Sequence, residues 1–320
     1  MSWGAVFPGQ GSQHIGMGQF LYNEFNLVKK LFQEASDTLS LDFKKLCFED
    51  PNEKLSLTTN TQPALLLCSV ATFRVLKEIA GFKPEAGAGH SLGEYSALVS
   101  AHALSFSDAI KSVRLRGQFM QEAVPVGQGG MAAVIGLEDN EVEKLCRWVV
   151  ETSGHSPLEP ANFNAPGQVV VSGSKKAVDV LSEPLNSEEI LGVKKRIRAL
   201  PLNVSAPFHC SMMKPAQDKM GLILQPVQMQ LPQFEVVQNV KAQSVNQVEE
   251  IRSLLVQQIS SPVQWTQSIK NLTAKNINRY IECGPGKVLN GLIKKIDSQV
   301  TCLNIQSMDE LKLAEKELNY

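Results

Sequence analysis

The pentapeptide Gly89-His90-Ser91-Leu92-Gly93 sets a serine at a corner crowded with small residues. G-x-S-x-G is the pattern of a nucleophile elbow, a sharp strand-to-helix turn that lifts a hydroxyl clear of the backbone. Such a turn holds its serine in a strained conformation and needs neighbours without bulky side chains. It aims the N–H of the next residue, Leu92, at an oxyanion formed on an attacked carbonyl. The helix that follows adds the positive end of its dipole. The same five residues also occur in ordinary loops, so the pattern alone leaves both readings open.

A serine hydroxyl is a weak nucleophile at neutral pH and needs a base. Five histidines are available: His14, His90, His102, His155 and His209. His90 adjoins the serine, and a sharp turn sends its side chain elsewhere, so it reads as a packed imidazole. His102 and His155 read as surface or structural residues. His209, in APFHCSMM, follows a proline-containing turn downstream of the serine, in the order that α/β-hydrolase-type sites use. It is the best candidate base.

These residues need elements to hold them. Short apolar runs alternate with longer amphipathic ones, the signature of an α/β chain. Ala5–Phe7 reads as a strand entering the glycine-rich turn PGQGSQ, and 61–79 as a helix apolar on every side, hence deep in the core. Ala86–Gly89 is the strand before Ser91 by context only, since its residues are poor strand formers. Helix follows over 94–101.

Beyond Gly127 the character changes. Strands are expected at 131–137, 169–173 and 194–200, with helices at 141–151, capped by Asp139, and at 175–185. This pattern predicts a ferredoxin-like plan. The expected fold is thus an α/β-hydrolase-like main domain over 1–127 and 200–320, with an inserted ferredoxin-like α+β subdomain over 128–199. Residues 280–283 followed by GPGKV again read as strand, turn and helix.

Composition sets wider limits. The 320 residues are 43% hydrophobic and 20% charged with a formal charge of −1, as in a globular protein whose field favours neither nucleic acid nor anionic membrane. Six cysteines without a CxxC pair indicate neither zinc nor a redox motif. No apolar run approaches the roughly 18 residues that span a bilayer. The N-terminus lacks a secretory pattern. A cytoplasmic protein is expected.

The blocks FPGQGSQ, TQPAL, GHSLGEYSAL, RLRGQFMQ, APFHCSMM and ECGPGKVL run in order from Phe7 to Leu289. Together they resemble the malonyl-CoA:acyl-carrier-protein transacylases of bacterial fatty acid synthesis, over nearly the whole chain. The resemblance makes Ser91 the acylated serine and His209 its base, held by backbone carbonyl oxygens rather than by an aspartate. Gln258, in LLVQQISSPVQW, takes the base-orienting position. Gln10 supplies an oxyanion-hole N–H to pair with that of Leu92.

Arg116 corresponds to the arginine that grips the free carboxylate of malonyl, which acetyl lacks; a planar guanidinium binds both oxygens at once. Burying it without an anion is costly, so in an empty site it is expected to be partly hydrated. Arg114 reads as a solvated helix residue. Phe208 matches a bulky position that narrows the acyl pocket against methylmalonyl. Met120, one turn after Arg116, lines the same pocket or fills core. Asn162, in NFNAPGQ, faces the cleft from the insert.

The implied reaction is ping-pong acyl transfer from malonyl-CoA, a substrate, to the 4′-phosphopantetheine thiol of acyl carrier protein. It needs no metal or redox cofactor. The carrier is acidic in this family, which makes Lys194, Lys195, Arg196, Arg198, Lys287, Lys294 and Lys295 docking candidates. A monomer is expected. A thioesterase or esterase would share Ser91 and His209 but has no use for Arg116 or the FPGQGSQ block. A polyketide-synthase acyltransferase module would share elbow and arginine but carry linkers, of which none is expected here. A non-catalytic relative would be expected to lose the serine, histidine or arginine.

Overall fold

Ten strands form two sheets, described by a computed structural model over residues 2–204 and 206–319. They are β1 (Trp3–Phe7), β2 (Ala86–Gly89), β3 (Gly129–Ile135), β4 (Leu158–Ala165), β5 (Gln168–Ser174), β6 (Arg198–Pro201), β7 (Glu235–Gln238), β8 (Gln243–Ser244), β9 (Arg279–Glu282) and β10 (Thr301–Asn304). The larger sheet has the order β10-β9-β1-β2-β7-β8. It is parallel throughout except for the short β7–β8 edge. Helices cover both faces, so β1 is buried along its whole length.

The helix Thr58–Ala80 runs through the core, its middle buried on every side as the uniform apolar pattern predicts. Pro63 interrupts its amide ladder and leaves the Thr59 carbonyl without its usual partner. Arg114 Nη1 supplies that missing donor at 2.9 Å and also bonds Asn60 Oδ1. Arg114 is therefore a half-buried clamp, not the solvated residue expected from sequence.

The smaller sheet is antiparallel in the order β4-β5-β3-β6. With the helix Asp139–Ser153 after β3 and short helices at Lys175–Val180 and Ser187–Leu191 before β6, it follows a ferredoxin-like β-α-β-β-α-β plan. One strand, β4, was not expected. Its sequence LEPANFNA carries Pro160 and two asparagines, poor strand formers tolerated here because β4 lies at the sheet edge. Three other expectations shift. The cap of the helix Asp139–Ser153 is Glu138, whose N–H is taken by the Glu141 carboxylate at 2.8 Å, rather than Asp139. The helix expected to reach Leu185 stops at Val180, short of Pro184, which disfavours helix in the residue before it. Of 194–200 only the end pairs, because β3 finishes at Ile135 opposite Arg198 and Gly136 turns away at φ +88°.

The smaller sheet is stitched by main chain to the segment that precedes the helix Trp265–Ala274. Phe163 N donates to Val263 O at 3.0 Å and Val263 N to Ala161 O at 2.9 Å. Thr266 Oγ1 adds a bond to Phe163 O at 3.0 Å. The cleft between the sheets holds the chemistry.

Candidate active site

Strand β2 delivers Ser91 to the head of the helix Gly93–Ser100. Ser91 has φ +53°, a left-handed conformation that serine adopts only under constraint, as the elbow pattern requires. The flanking glycines are forced by space. A Cβ on Gly89 would sit 1.8 Å from the Gly93 carbonyl carbon, and one on Gly93 would sit 2.0 Å from Phe7 O. Neither obstacle is a side chain that can move aside. Gly93→Ala is expected to cost about 3 kcal/mol or more, read as a lower denaturation midpoint. Gly291→Ala, where an added methyl meets nothing within 4 Å, is the control that should not destabilise.

Ser91 Oγ donates to His209 Nε2 at 2.7 Å, and His209 Nδ1 donates to the backbone carbonyl of Gln258 at 2.8 Å. A carbonyl can only accept, so Nδ1 carries the proton and Nε2 is free to receive one. No carboxylate is needed to fix this tautomer. His209 is itself in the left-handed region at φ +60°. Burial first, then the Arg116 charge, pushes its imidazole down to about 3, against the pull of the Gln258 carbonyl. The imidazole is thus neutral at physiological pH.

Arg116, on the helix Phe106–Glu122, is only 1% exposed, not partly hydrated as expected. Amide and hydroxyl oxygens meet its N–H groups directly. Nη1 donates to Gln62 Oε1 at 2.8 Å, and Nη2 to Gln258 Oε1 at 2.8 Å and Ser91 Oγ at 3.1 Å. The Tyr95 ring lies 5.8 Å from its guanidinium carbon, and among the described residues Nε has no partner.

A cleft of about 750 Å³ opens over this centre. Ser91, His209, Gln10, Leu92, Arg116, Met120, Phe208 and Asn162 all line it. Gln258 lies behind it, wholly buried. Among the described residues, neither the Gln10 nor the Leu92 N–H donates to a protein acceptor, which leaves both available to an oxyanion. A second cavity, of about 330 Å³ beside Arg74, Phe106 and Met229, is also lined by His102 and Ser105, but these bond Lys77 and Asp108 rather than each other.

Sequence reasoning missed several groups. Asn239 follows β7 and locks the elbow: its Oδ1 accepts the Ser91 N–H at 2.7 Å, while its Nδ2 donates to Gly89 O at 2.7 Å. Its place at the carboxyl end of a parallel strand, where α/β sites gather, was the available signal. Asn164 of β4 accepts from His90 Nε2 at 2.8 Å, and the His90 ring packs 5.6 Å from Trp265. His90 is packed as expected, yet it also faces the cleft, where burial lowers its pKa. Glu94, in the first turn of the elbow helix, accepts from Asn239 N at 2.9 Å and Gln258 Nε2 at 2.8 Å. Burial raises its carboxyl to about 7, against those hydrogen bonds and Arg116.

Similarity to known proteins agrees with this geometry. Residues 5–310 match the acyl transferase domain family. The chain is 44% identical over 309 residues to the malonyl CoA-acyl carrier protein transacylase of Bacillus subtilis, covering 97% of this chain and 95% of the relative. The chain belongs to the malonyl CoA-acyl carrier protein transacylase family. A solved transacylase of this kind from Coxiella burnetii superposes with a TM-score of 0.93 at 41% identity, over 100% of this chain and 98% of its own. A malonyl-transacylase solved in complex with a type II polyketide acyl-carrier protein gives 0.92 at 43% identity, over 99% of this chain and 100% of its own. The antiparallel sheet beside the parallel one is common to the transacylase fold, so the α/β-hydrolase-like description stands.

Proposed function

We propose that this chain moves the malonyl group from malonyl-CoA to the phosphopantetheine thiol of acyl carrier protein through a malonyl ester on Ser91. Ser91 Oγ attacks the thioester carbonyl as its proton passes to His209 Nε2. The Gln10 and Leu92 N–H groups hold the oxyanion. Collapse breaks the carbon–sulfur bond, and His209 returns the proton to the departing CoA sulfur. The carrier thiol then attacks the ester by the same steps in reverse. Every step is served by these side chains and backbone N–H groups, so the mechanism calls on no metal or redox cofactor.

The observation that carries this reading is Arg116 Nη2 at 3.1 Å from the nucleophile. A cation there matches an acyl group ending in a carboxylate, and a simple hydrolase gains nothing from it. Phe208 and Met120, both buried at the cleft wall, limit the width of that acyl group. Asn162 approaches from β4.

Partner and setting belong to the same proposal. A transacylase with a bound acyl-carrier protein is among the solved neighbours, which supports a carrier as acceptor. Lys287 adjoins Val288 at the cleft mouth and is exposed, as are Lys194, Lys195, Arg196, Arg198, Lys294 and Lys295. Lys195 pairs with Glu141 and Lys295 bonds Gln168, so Lys287 is the first docking residue to test. A monomer acting without nucleic acid is part of the same proposal. Among the described residues, no helix is long and apolar enough to cross a membrane. The division into 1–127 with 200–320 and an insert at 128–199 is proposed as the domain plan.

Intact-mass analysis tests the reaction. Brief exposure to malonyl-CoA should add one malonyl group, absent in Ser91→Ala, and holo carrier protein should discharge it onto itself. Hydrolysis at equal rate with and without carrier would identify a thioesterase instead.

A further inference from the structure

Glu94 has no part in the steps above, yet it lies at the centre of the site. It is wholly buried. Its Oε2 accepts both of its hydrogen bonds, from Asn239 N and Gln258 Nε2, while Oε1 is sealed from solvent without a partner among the described residues. The Gln258 amide joins it to Arg116, donating to Glu94 from its nitrogen and accepting from Arg116 at its oxygen. A buried carboxylate and a buried guanidinium therefore face each other across one neutral amide. The other titratable groups nearby are Tyr95 on the same helix and His209 beyond Gln258. The helix Thr58–Ala80 brings only neutral Gln62 to Arg116. Strands β1 and β2 carry no ionisable side chain, and Glu235 of β7 is exposed.

We infer that Glu94 is the internal counter-ion of Arg116, balancing it while the acyl pocket is empty and taking up a proton when a substrate carboxylate arrives. This rests on Arg116 binding the malonyl carboxylate. One guanidinium cannot offset two anions where water is excluded, so the arriving carboxylate disfavours the ionised form of Glu94. The proton comes from solvent and goes to the carboxyl group, whose Oε1 is unoccupied; no covalent bond changes. A carboxyl held near 7 makes the exchange accessible at neutral pH. Acetyl brings no charge and should draw no proton. Glu94 is thereby a specificity-determining residue that weakens malonyl binding as pH rises.

The test uses Ser91→Ala protein, which binds thioester without turnover. Calorimetric titration at pH 7 in two buffers of different ionisation heat counts protons. Malonyl-CoA should take up as much as about half a proton per site and acetyl-CoA none. Between pH 6 and 8 malonyl-CoA binding should weaken about tenfold beyond any change seen with acetyl-CoA. Adding Glu94→Gln should remove both effects. Gln keeps both hydrogen bonds through its oxygen, with its NH2 where Oε1 has no partner. Should that double variant not fold, the proton count of the Ser91→Ala protein decides alone. Malonyl-CoA bound in preference to acetyl-CoA with no excess proton uptake overturns the inference and leaves the Arg116 reading intact. Equal binding of the two thioesters overturns that reading, and the inference with it.

Discussion

Replacing His209 with alanine should lower malonyl transfer about a thousandfold or more, the usual scale for removing a general base that serves a serine. The loss should fall on kcat, since His209 touches the nucleophile rather than the acyl carboxylate. The pH profile gives an independent check. An imidazole held at about 3 stays neutral through the physiological range, so its acid limb should lie well below pH 6.5. A limb centred near 6.5 would mean that the ring is wetter than its burial shows. Stability carries the same signature. The unfolded histidine takes a proton near 6.5 and the folded one does not, so its contribution is complete above 6.5 and is lost as pH falls toward 3. Glu94 and Glu282 run the other way. Each is raised by burial from 4.5 to about 7, so folded protein binds more protons between those values and stability falls as pH rises through them. Urea midpoints across pH 4 to 8, with His209→Ala alongside wild type, separate the two slopes.

Replacing Arg116 with alanine should invert substrate preference. Transfer from malonyl-CoA is expected to drop about a hundredfold or more, the scale for losing a charge-assisted contact in a site built around it. Transfer from acetyl-CoA should fall far less, so the ratio of kcat/KM values reverses. Arg116→Lys keeps the charge but cannot bond Gln62, Gln258 and Ser91 in one plane, and should recover only part of the preference. An unchanged ratio in Arg116→Ala would remove the carboxylate reading, whatever happened to the absolute rates.

Much of this was legible in the chain because the constraints are local. The elbow reveals itself through Gly89 and Gly93, where a methyl group collides with backbone, so composition at that corner is nearly forced. The helix Thr58–Ala80 shows its burial through unbroken apolarity. What stayed hidden depends on partners distant in sequence. Asn239 touches Ser91 from 148 residues away, with no spacing rule to connect them. Strand β4 is a sheet edge that also bonds Val263, about a hundred residues on, and its asparagines line the cleft. Arg114 and Arg116 look alike in RLRGQFMQ. Only the position of Pro63 on the facing helix shows that one repairs a broken ladder while the other meets Ser91.

The main-chain stitches from Ala161 and Phe163 to Val263 have a consequence for traffic through the protein. A jaw-like swing of the small sheet would have to tear them along with the Thr266 bond, leaving polar backbone bare. The gap is thus expected to keep its width when a thioester enters, so that choosing acyl groups by size would need no closing motion.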